Sequence, residues 1–257
     1  MMPLVESLVE ETTSQVSEGW TIRVADELRS TNSIAGRLPP WTAVRARVQT
    51  DGRGRTGRYW VSDEGGLWLS AVVPCPGERA KWSILPLAAG WAFITALEKL
   101  GVKNLRLRWP NDIMVGRRKL AGLLVERYTE QTAVVGIGVN VFNDPERGEP
   151  ELSGATARLA DLLEGNYTLD DITHVLLHSL RAAHATLLEK GFAVIADELN
   201  HRWGKPRLVC VTLTGRDETF SGQFHGIDCH GRLQLATPRE GLQFYDASQI
   251  ELLRELE

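Results

Sequence analysis

Residues 105–109, 113–115, 120–127 and 132–141 read as four successive strands, with Gly116-Arg117 as a hairpin tip. This run is flanked by helical spacing. Apolar residues recur at three- and four-residue steps over 84–100, with Pro86 near the start and Gly101 as the stop, and again over 169–190, which Gly191 ends. A shorter helix is expected over 193–203. Upstream, 20–28, 42–49 and 66–73 carry strand patterns. Ser30-Thr31-Asn32-Ser33 is a cluster of helix N-cap residues opening a short helix that Pro39-Pro40 stops. The class expected is α+β.

After Lys205-Pro206 the character changes. Segments 208–213, 219–227, 233–237 and 243–245 are short strands at regular spacing, which predicts a small barrel with its boundary near Gly204. A chain of 257 residues is close to the practical limit of one core, so the expected partition is a leader over 1–19, a main domain over 20–203 and an appended domain over 204–257. With 43% hydrophobic and 24% charged residues the chain has the balance of a globular protein, and a net charge of −4 argues against non-specific nucleic-acid or anionic-membrane binding. The three cysteines form no CxxC pair, which fits a reducing compartment and gives neither a disulfide framework nor a zinc site. The acidic amino terminus is unlike a signal peptide, and no run approaches the ~18 apolar residues of a membrane helix. A cytoplasmic protein is expected.

Three segments look unlike scaffold. In Gly52-Arg53-Gly54-Arg55-Thr56-Gly57-Arg58, alternating glycines let the backbone approach an anion while three arginines offer forked donors to carboxylate or phosphate. The segment lacks the ending of a P-loop and the spacing of a dinucleotide fingerprint. A solvated or RNA-contacting arginine loop is the alternative. In Arg108-Trp109-Pro110-Asn111-Asp112, the amide and carboxylate at a strand end could hold magnesium, and Lys119 on the neighbouring strand could neutralise a transferring phosphoryl group; a plain turn is the competing explanation. Ser30-Thr31-Asn32 is at face value an N-cap. His174 and His178 are four apart on a helix but have no evident third metal ligand.

Taken together, Ser30-Thr31-Asn32, Gln49 with the arginine loop, Arg108-Trp109-Pro110-Asn111-Asp112, Arg118-Lys119-Leu120-Ala121-Gly122 and Gly136-Ile137-Gly138-Val139-Asn140 resemble, in order and spacing, the biotin protein ligases. The resemblance implies a mixed or antiparallel sheet of the class II synthetase kind and an SH3-like carboxy-terminal barrel. It also implies an activity: biotin and ATP give biotinyl-5′-AMP and pyrophosphate, and the biotinyl group then passes to one lysine of a biotin carboxyl carrier domain. Ser30, Thr31, Asn32, Gln49, Arg53, Gly54, Arg55 and Lys119 would meet biotin. Lys119, Arg55 and Asp112 would be catalytic. Asn111, Asp112 and Asn140 would hold the triphosphate and magnesium, with Asn111 and Asp112 as metal ligands. Residues Gly52 to Arg58 would form a lid over the adenylate, mobile without ligand.

Two departures stand out: Asp63-Glu64 follows Ser62, where many relatives have Ser-Pro, and the loop over 144–155, in a region that often contacts adenine, is rich in Pro, Gly and Glu, so no adenine contact is assigned. Some members carry an amino-terminal helix-turn-helix; fewer than twenty residues precede Trp20, so no DNA partner is expected. Oligomeric state is left open, a homodimer included. A lipoate or octanoate ligase is the nearest alternative enzyme, and a nucleic-acid binder using the arginine cluster the alternative of a different class.

Overall fold

The structure is a computed structural model and describes residues 13–256 apart from 18, 78–81, 148 and 217–218. In chain order the main elements are β1 (Thr13–Ser17), β2 (Trp20–Leu28), α1 (Thr31–Ala35), β3 (Thr42–Gln49), β4 (Leu67–Pro74), α2 (Leu85–Lys99), β5 (Leu105–Arg108), β6 (Asp112–Val115), β7 (Arg118–Arg127), β8 (Thr132–Val139), α3 (Leu169–Lys190), α4 (Ala193–Trp203), β9 (Arg207–Leu213), β10 (Thr219–Ile227), β11 (Leu233–Thr237), β12 (Gly241–Tyr245) and β13 (Ile250–Glu255). The helices expected over 169–190 and 193–203 carry those bounds, and the hairpin tip at Gly116 joins Val115 to Arg118. Most of the expected leader, residues 1–12 and 18, lies outside the described residues; 13–17, which sequence reading left without structure, pair antiparallel with β2.

The first eight strands form one sheet in the order β1-β2-β3-β4-β8-β7-β6-β5, antiparallel except for the β2–β3 pair. Side chains alternate across a strand, and here the two faces differ in kind. Leu67, Leu69, Ala71 and Val73 of β4, Ala133, Val135, Ile137 and Val139 of β8, and Ala121 and Leu123 of β7 join the large core covered by α2 and α3. The alternate positions are Trp68, Ser70 and Val72, Val134, Gly136 and Gly138, and Gly122, Leu124 and Glu126, with Ser70, Gly136, Gly138 and Gly122 making a low patch between the larger residues. In register, Ser70 faces Gly136, and Gly138 faces both Trp68 and Gly122. The short α1 packs on this second face through a small cluster of Ala25, Leu28, Ala35, Val44, Ala46, Val72 and Val134. One face of the sheet is therefore filled by helices, and the other keeps a shallow floor of small residues.

The last five strands form an antiparallel sheet in the order β12-β11-β10-β9-β13. β12 and β13 are the two edges and do not pair, so the expected barrel is not closed by hydrogen bonds. β13 was not assigned in advance because no clear alternation marks 250–255. Buried Val209, Val211, Phe224, Leu233, Leu235, Ile250 and Leu253 continue the main core. The contact is also polar. Trp109 Nε1 donates to Gly231 O at 3.1 Å, and the Glu255 carboxylate accepts from Arg106 of β5 and, within its own sheet, from Arg207 Nε at 2.9 Å; beside this contact Trp203 Nε1 of α4 donates to Leu107 O of β5 at 2.5 Å. No helix among the described residues is long and apolar enough to cross a membrane.

Candidate active site

A cavity of about 310 Å³ lies over the small-residue floor. Its wall includes Ser30, Thr31, Asn32, Gln49, Arg53, Gly54, Arg55, Thr56, Arg58, Arg108, Asn111, Asp112, Lys119 and Asn140, so of the expected site residues only Gly52 and Gly57 lie outside it.

The first wall is α1 and the end of β3. Ser30 occupies the N-cap position of α1, yet its side chain makes no capping hydrogen bond; it is buried at the cavity instead. Thr31 donates its backbone N–H to Gln49 Oε1 at 2.8 Å, and Thr31 Oγ1 stands 3.0 Å from the same oxygen. Gln49 Nε2 donates to Ser62 Oγ at 3.0 Å. Asn32 is held across the sheet by Leu124 O, Glu126 and Ser70. A Cβ on Gly136 would overlap Asn32 Oδ1, so only glycine admits Asn32 to the floor at that place.

The opposite wall carries charge. Asp112, at the start of β6, is half-buried; its Oδ1 is 2.7 Å from Lys119 Nζ and its Oδ2 2.6 Å from Arg108 Nη2. Burial pushes this carboxyl up, but the two cations and their hydrogen bonds outweigh it and hold it below the usual carboxylate range. Lys119 Nζ also lies 4.8 Å from the ring centre of Trp60. That indole rests on Gly122 and Gly138, where a Cβ would come within 2.9 Å and 2.6 Å of it. The amides of Asn111 and Asn140 brace strands: Asn111 Nδ2 donates to Leu123 O at 2.7 Å, and Asn140 Nδ2 to Lys119 O at 3.4 Å.

Of the expected metal ligands, Asp112 has both oxygens bonded to cations, whereas Asn111, whose Nδ2 donates to Leu123 O, keeps Oδ1 as the atom a hard cation would use. No group of three His, Cys, Asp or Glu side chains gathers for a metal among the described residues, His174 and His178 included.

The arginine loop closes the third side. Gly54 N donates to Arg58 O at 2.7 Å and Arg53 bridges Tyr59, so the loop is tied at its base. Thr56 sits at φ 56°, left-handed backbone that a β-branched residue rarely adopts. The arginines diverge. Arg53 Nη2 donates to Ser33 Oγ at 2.8 Å, whereas Arg55 Nη2 donates to Ala247 O at 2.5 Å and Ile250 O at 3.0 Å in the carboxy-terminal sheet. Burial lowers the Arg55 guanidinium from its usual value, opposed by the attraction of Asp112. Arg58 Nη2 is 3.7 Å from Glu251.

Residues 25–141 match the Biotin/lipoate A/B protein ligase family. The chain is 32% identical over 233 residues to the Biotin–[acetyl-CoA-carboxylase] ligase of Paracoccus denitrificans, covering 86% of this chain and 96% of that one. The chain belongs to the biotin protein ligase family. Bifunctional ligase/repressor BirA of Bacillus subtilis (strain 168) is 29% identical over 240 residues, 90% of this chain and 71% of that protein. A solved structure, the biotin protein ligase from Aquifex aeolicus in complex with biotin and ATP, superposes with a TM-score of 0.79 at 26% identity, covering 91% of this chain and 98% of that one.

Several residues of this ligase-family cavity were not singled out in advance. Pro145, Leu152 and Thr156 come from the long loop that carried no assignment, and Glu251, Leu252 and Leu253 from β13. The loop is stapled on itself by Glu146, which accepts from Gly154 N and from Thr156 N and Oγ1 at 3.1, 3.3 and 2.7 Å. Trp60, adjacent to the arginine loop, also lines the cavity. Of the three cysteines, Cys75 is buried, which pushes its thiol up to about 11, while Cys210 is half-buried and Cys229 exposed.

Asp112→Asn should leave Lys119 and Arg108 without a counter-charge and destabilise the protein at pH 7 by about 2 kcal/mol, the range for losing hydrogen bonds to a charged group. A carboxyl held below its unfolded value of about 4 stabilises above that pH and loses the contribution as pH falls through the folded value. The gap between wild type and variant in urea denaturation should therefore be full at pH 7 and close as the pH is lowered below about 4; a gap that does not change with pH would assign the loss to something other than this charge.

Proposed function

We propose that the protein activates biotin with ATP, giving biotinyl-5′-AMP and pyrophosphate, and passes the biotinyl group to a lysine of a biotin carboxyl carrier domain. The observation that carries this is a cavity with a built polar end and a cationic end. Thr31, Asn32 and Gln49 offer fixed donors and acceptors to a cyclic urea, and each such group left unpaired would cost ~1–3 kcal/mol, which disfavours acids lacking the ring. Lys119 and the arginine loop face a carboxylate meeting a phosphate.

In this reading the biotin carboxylate attacks the α-phosphorus of ATP and pyrophosphate leaves, so no protein nucleophile is required. Lys119 neutralises the charge that builds between carboxylate and α-phosphate; Asp112 and the Trp60 face hold its ammonium in place. Arg53, Gly54 and Arg55, with the rest of Gly52 to Arg58, cover the mixed anhydride and exclude water. In the second step the carrier lysine amine attacks the acyl carbon and AMP departs. Ser30 lies at the biotin end; Asn111 and Asn140 shape the nucleotide end together with the 144–156 loop. We read 20–203 as the catalytic domain and 204–257 as an SH3-like unit, on the support of its five antiparallel strands. The cysteine pattern and the net charge of −4 support a cytoplasmic enzyme with a protein, not DNA, as its macromolecular partner.

Incubation with biotin, MgATP and a carrier domain should add one biotinyl group to the carrier by intact mass; replacing biotin with lipoate should add nothing, and the reverse pattern would favour the lipoate alternative. Lys119→Ala should lower biotin-dependent pyrophosphate release by roughly 10²-fold or more. Near-normal release would remove Lys119 from the chemistry. For the lid, trypsin cleavage between Arg53 and Arg58 should slow when biotin and ATP are both present, and unchanged cleavage would count against a covering role.

A further inference from the structure

The polar end of the cavity is organised by two residues that do not line it. Asn32 turns its carboxamide nitrogen toward Glu126 Oε2 at 2.7 Å and Leu124 O at 3.3 Å, a carboxylate and a carbonyl with no hydrogen to give. The amide cannot be flipped without setting its oxygen against both. Asn32 Oδ1 therefore faces the fully buried Ser70 hydroxyl at 2.6 Å, and as an acceptor it claims the one proton that Ser70 has. Ser70 Oγ also lies 2.7 Å from Thr31 Oγ1. With the Ser70 proton committed, the single Thr31 proton has two acceptors inside the wall, Ser70 Oγ and Gln49 Oε1. Thr31 Oγ1 then meets the cavity with lone pairs only.

We propose that Glu126 and Ser70 are positioning residues that set the hydrogen-bond polarity of this end of the cavity, through Asn32 and Thr31, so that it accepts an N–H from the ligand. The selection of a ring N–H rests on the biotin reading; the relay itself does not. Glu126→Gln breaks the logic with little change of volume. A carboxamide at 126 can donate to Asn32 Oδ1, Asn32 can turn its nitrogen to Ser70, and Ser70 can donate to Thr31; the Thr31 proton then keeps one acceptor in the wall instead of two, Gln49 Oε1, and a ligand acceptor competes for it with that group alone.

The test has two arms. In pyrophosphate-release kinetics, Glu126→Gln and Ser70→Ala should raise the KM for biotin roughly tenfold, with kcat and the KM for ATP within about twofold of wild type. An analogue with one ring N–H replaced by an ether oxygen should lose less in Glu126→Gln than biotin does, narrowing the discrimination between them. Unchanged biotin KM, or parallel changes in kcat and both KM values, would overturn the proposal, since a general structural loss moves all three. The ligand-free arm reads the relay directly. The side-chain amide ¹⁵N–¹H₂ signals of Asn32, assigned by comparison with Asn32→Asp, should exchange slowly with water in wild type and shift and exchange faster in both variants. If wild type shows no biotin-dependent turnover, the biotin reading fails and this second arm still decides the relay: Asn32 signals that do not move in either variant overturn it.

Discussion

A sheet with two unlike faces is the constraint on which the rest of this molecule depends. β4, β7 and β8 spend every second residue on the core beneath α2 and α3, and that burial, worth roughly 25 cal/mol per Å² of apolar surface, fixes their register. A slip by one residue would exchange the two faces and put Ser70, Gly122 and Gly136 among the helices. The apolar face thus enforces the placement of the polar one. Because the floor positions are glycine, whole side chains from other elements can come down onto the strands: Asn32 over Gly136 and Trp60 over Gly122 and Gly138.

On that floor the two ends of the cavity solve different electrostatic problems. At the α1 end the groups are neutral amides and hydroxyls plus one carboxylate outside the wall, and their burial is tolerable because each has a partner. At the β6–β7 end a single half-buried carboxylate serves two cations, so Asp112, Lys119 and Arg108 leave a local positive excess. An anion arriving there completes the charge balance.

Much of this was legible in the sequence, for identifiable reasons. The helices over 169–190 and 193–203 have regular apolar spacing and a glycine or an acidic cap at their ends; Thr168 and Asp171 close a reciprocal capping box that anchors the longer one. The small motifs named their own residues, so Gln49, Asp112 and Lys119 could be picked out one by one, and the structure gathers them in one cavity. Their partners were not legible. Ser70 and Glu126 sit in strands with no local signal, and only the cross-strand register brings Glu126 to Asn32. Arg55 was expected over the ligand, but the carbonyls it meets belong to residues almost 200 positions away. β1 and β13 are edge strands defined by the strand they pair with rather than by their own pattern.

The carboxy-terminal sheet gains its meaning from those long-range bonds. It grips the Trp109 to Asp112 segment from behind through Gly231, braces β5 through Glu255 between Arg106 and Arg207, and receives Arg55 of the loop from the front. The charged wall and the loop that faces it are thereby referenced to one body. Backbone carbonyls as acceptors for Arg55 also mean that the contact does not depend on which side chains occupy 247 and 250, only on the turn Ala247–Gln249 that presents them. A loop with three glycines and a left-handed Thr56 has many conformations open to it. Fastening it at one guanidinium removes some of that freedom without stiffening its sequence, and leaves the neighbouring Arg53 and Arg58 on their own, weaker, partners.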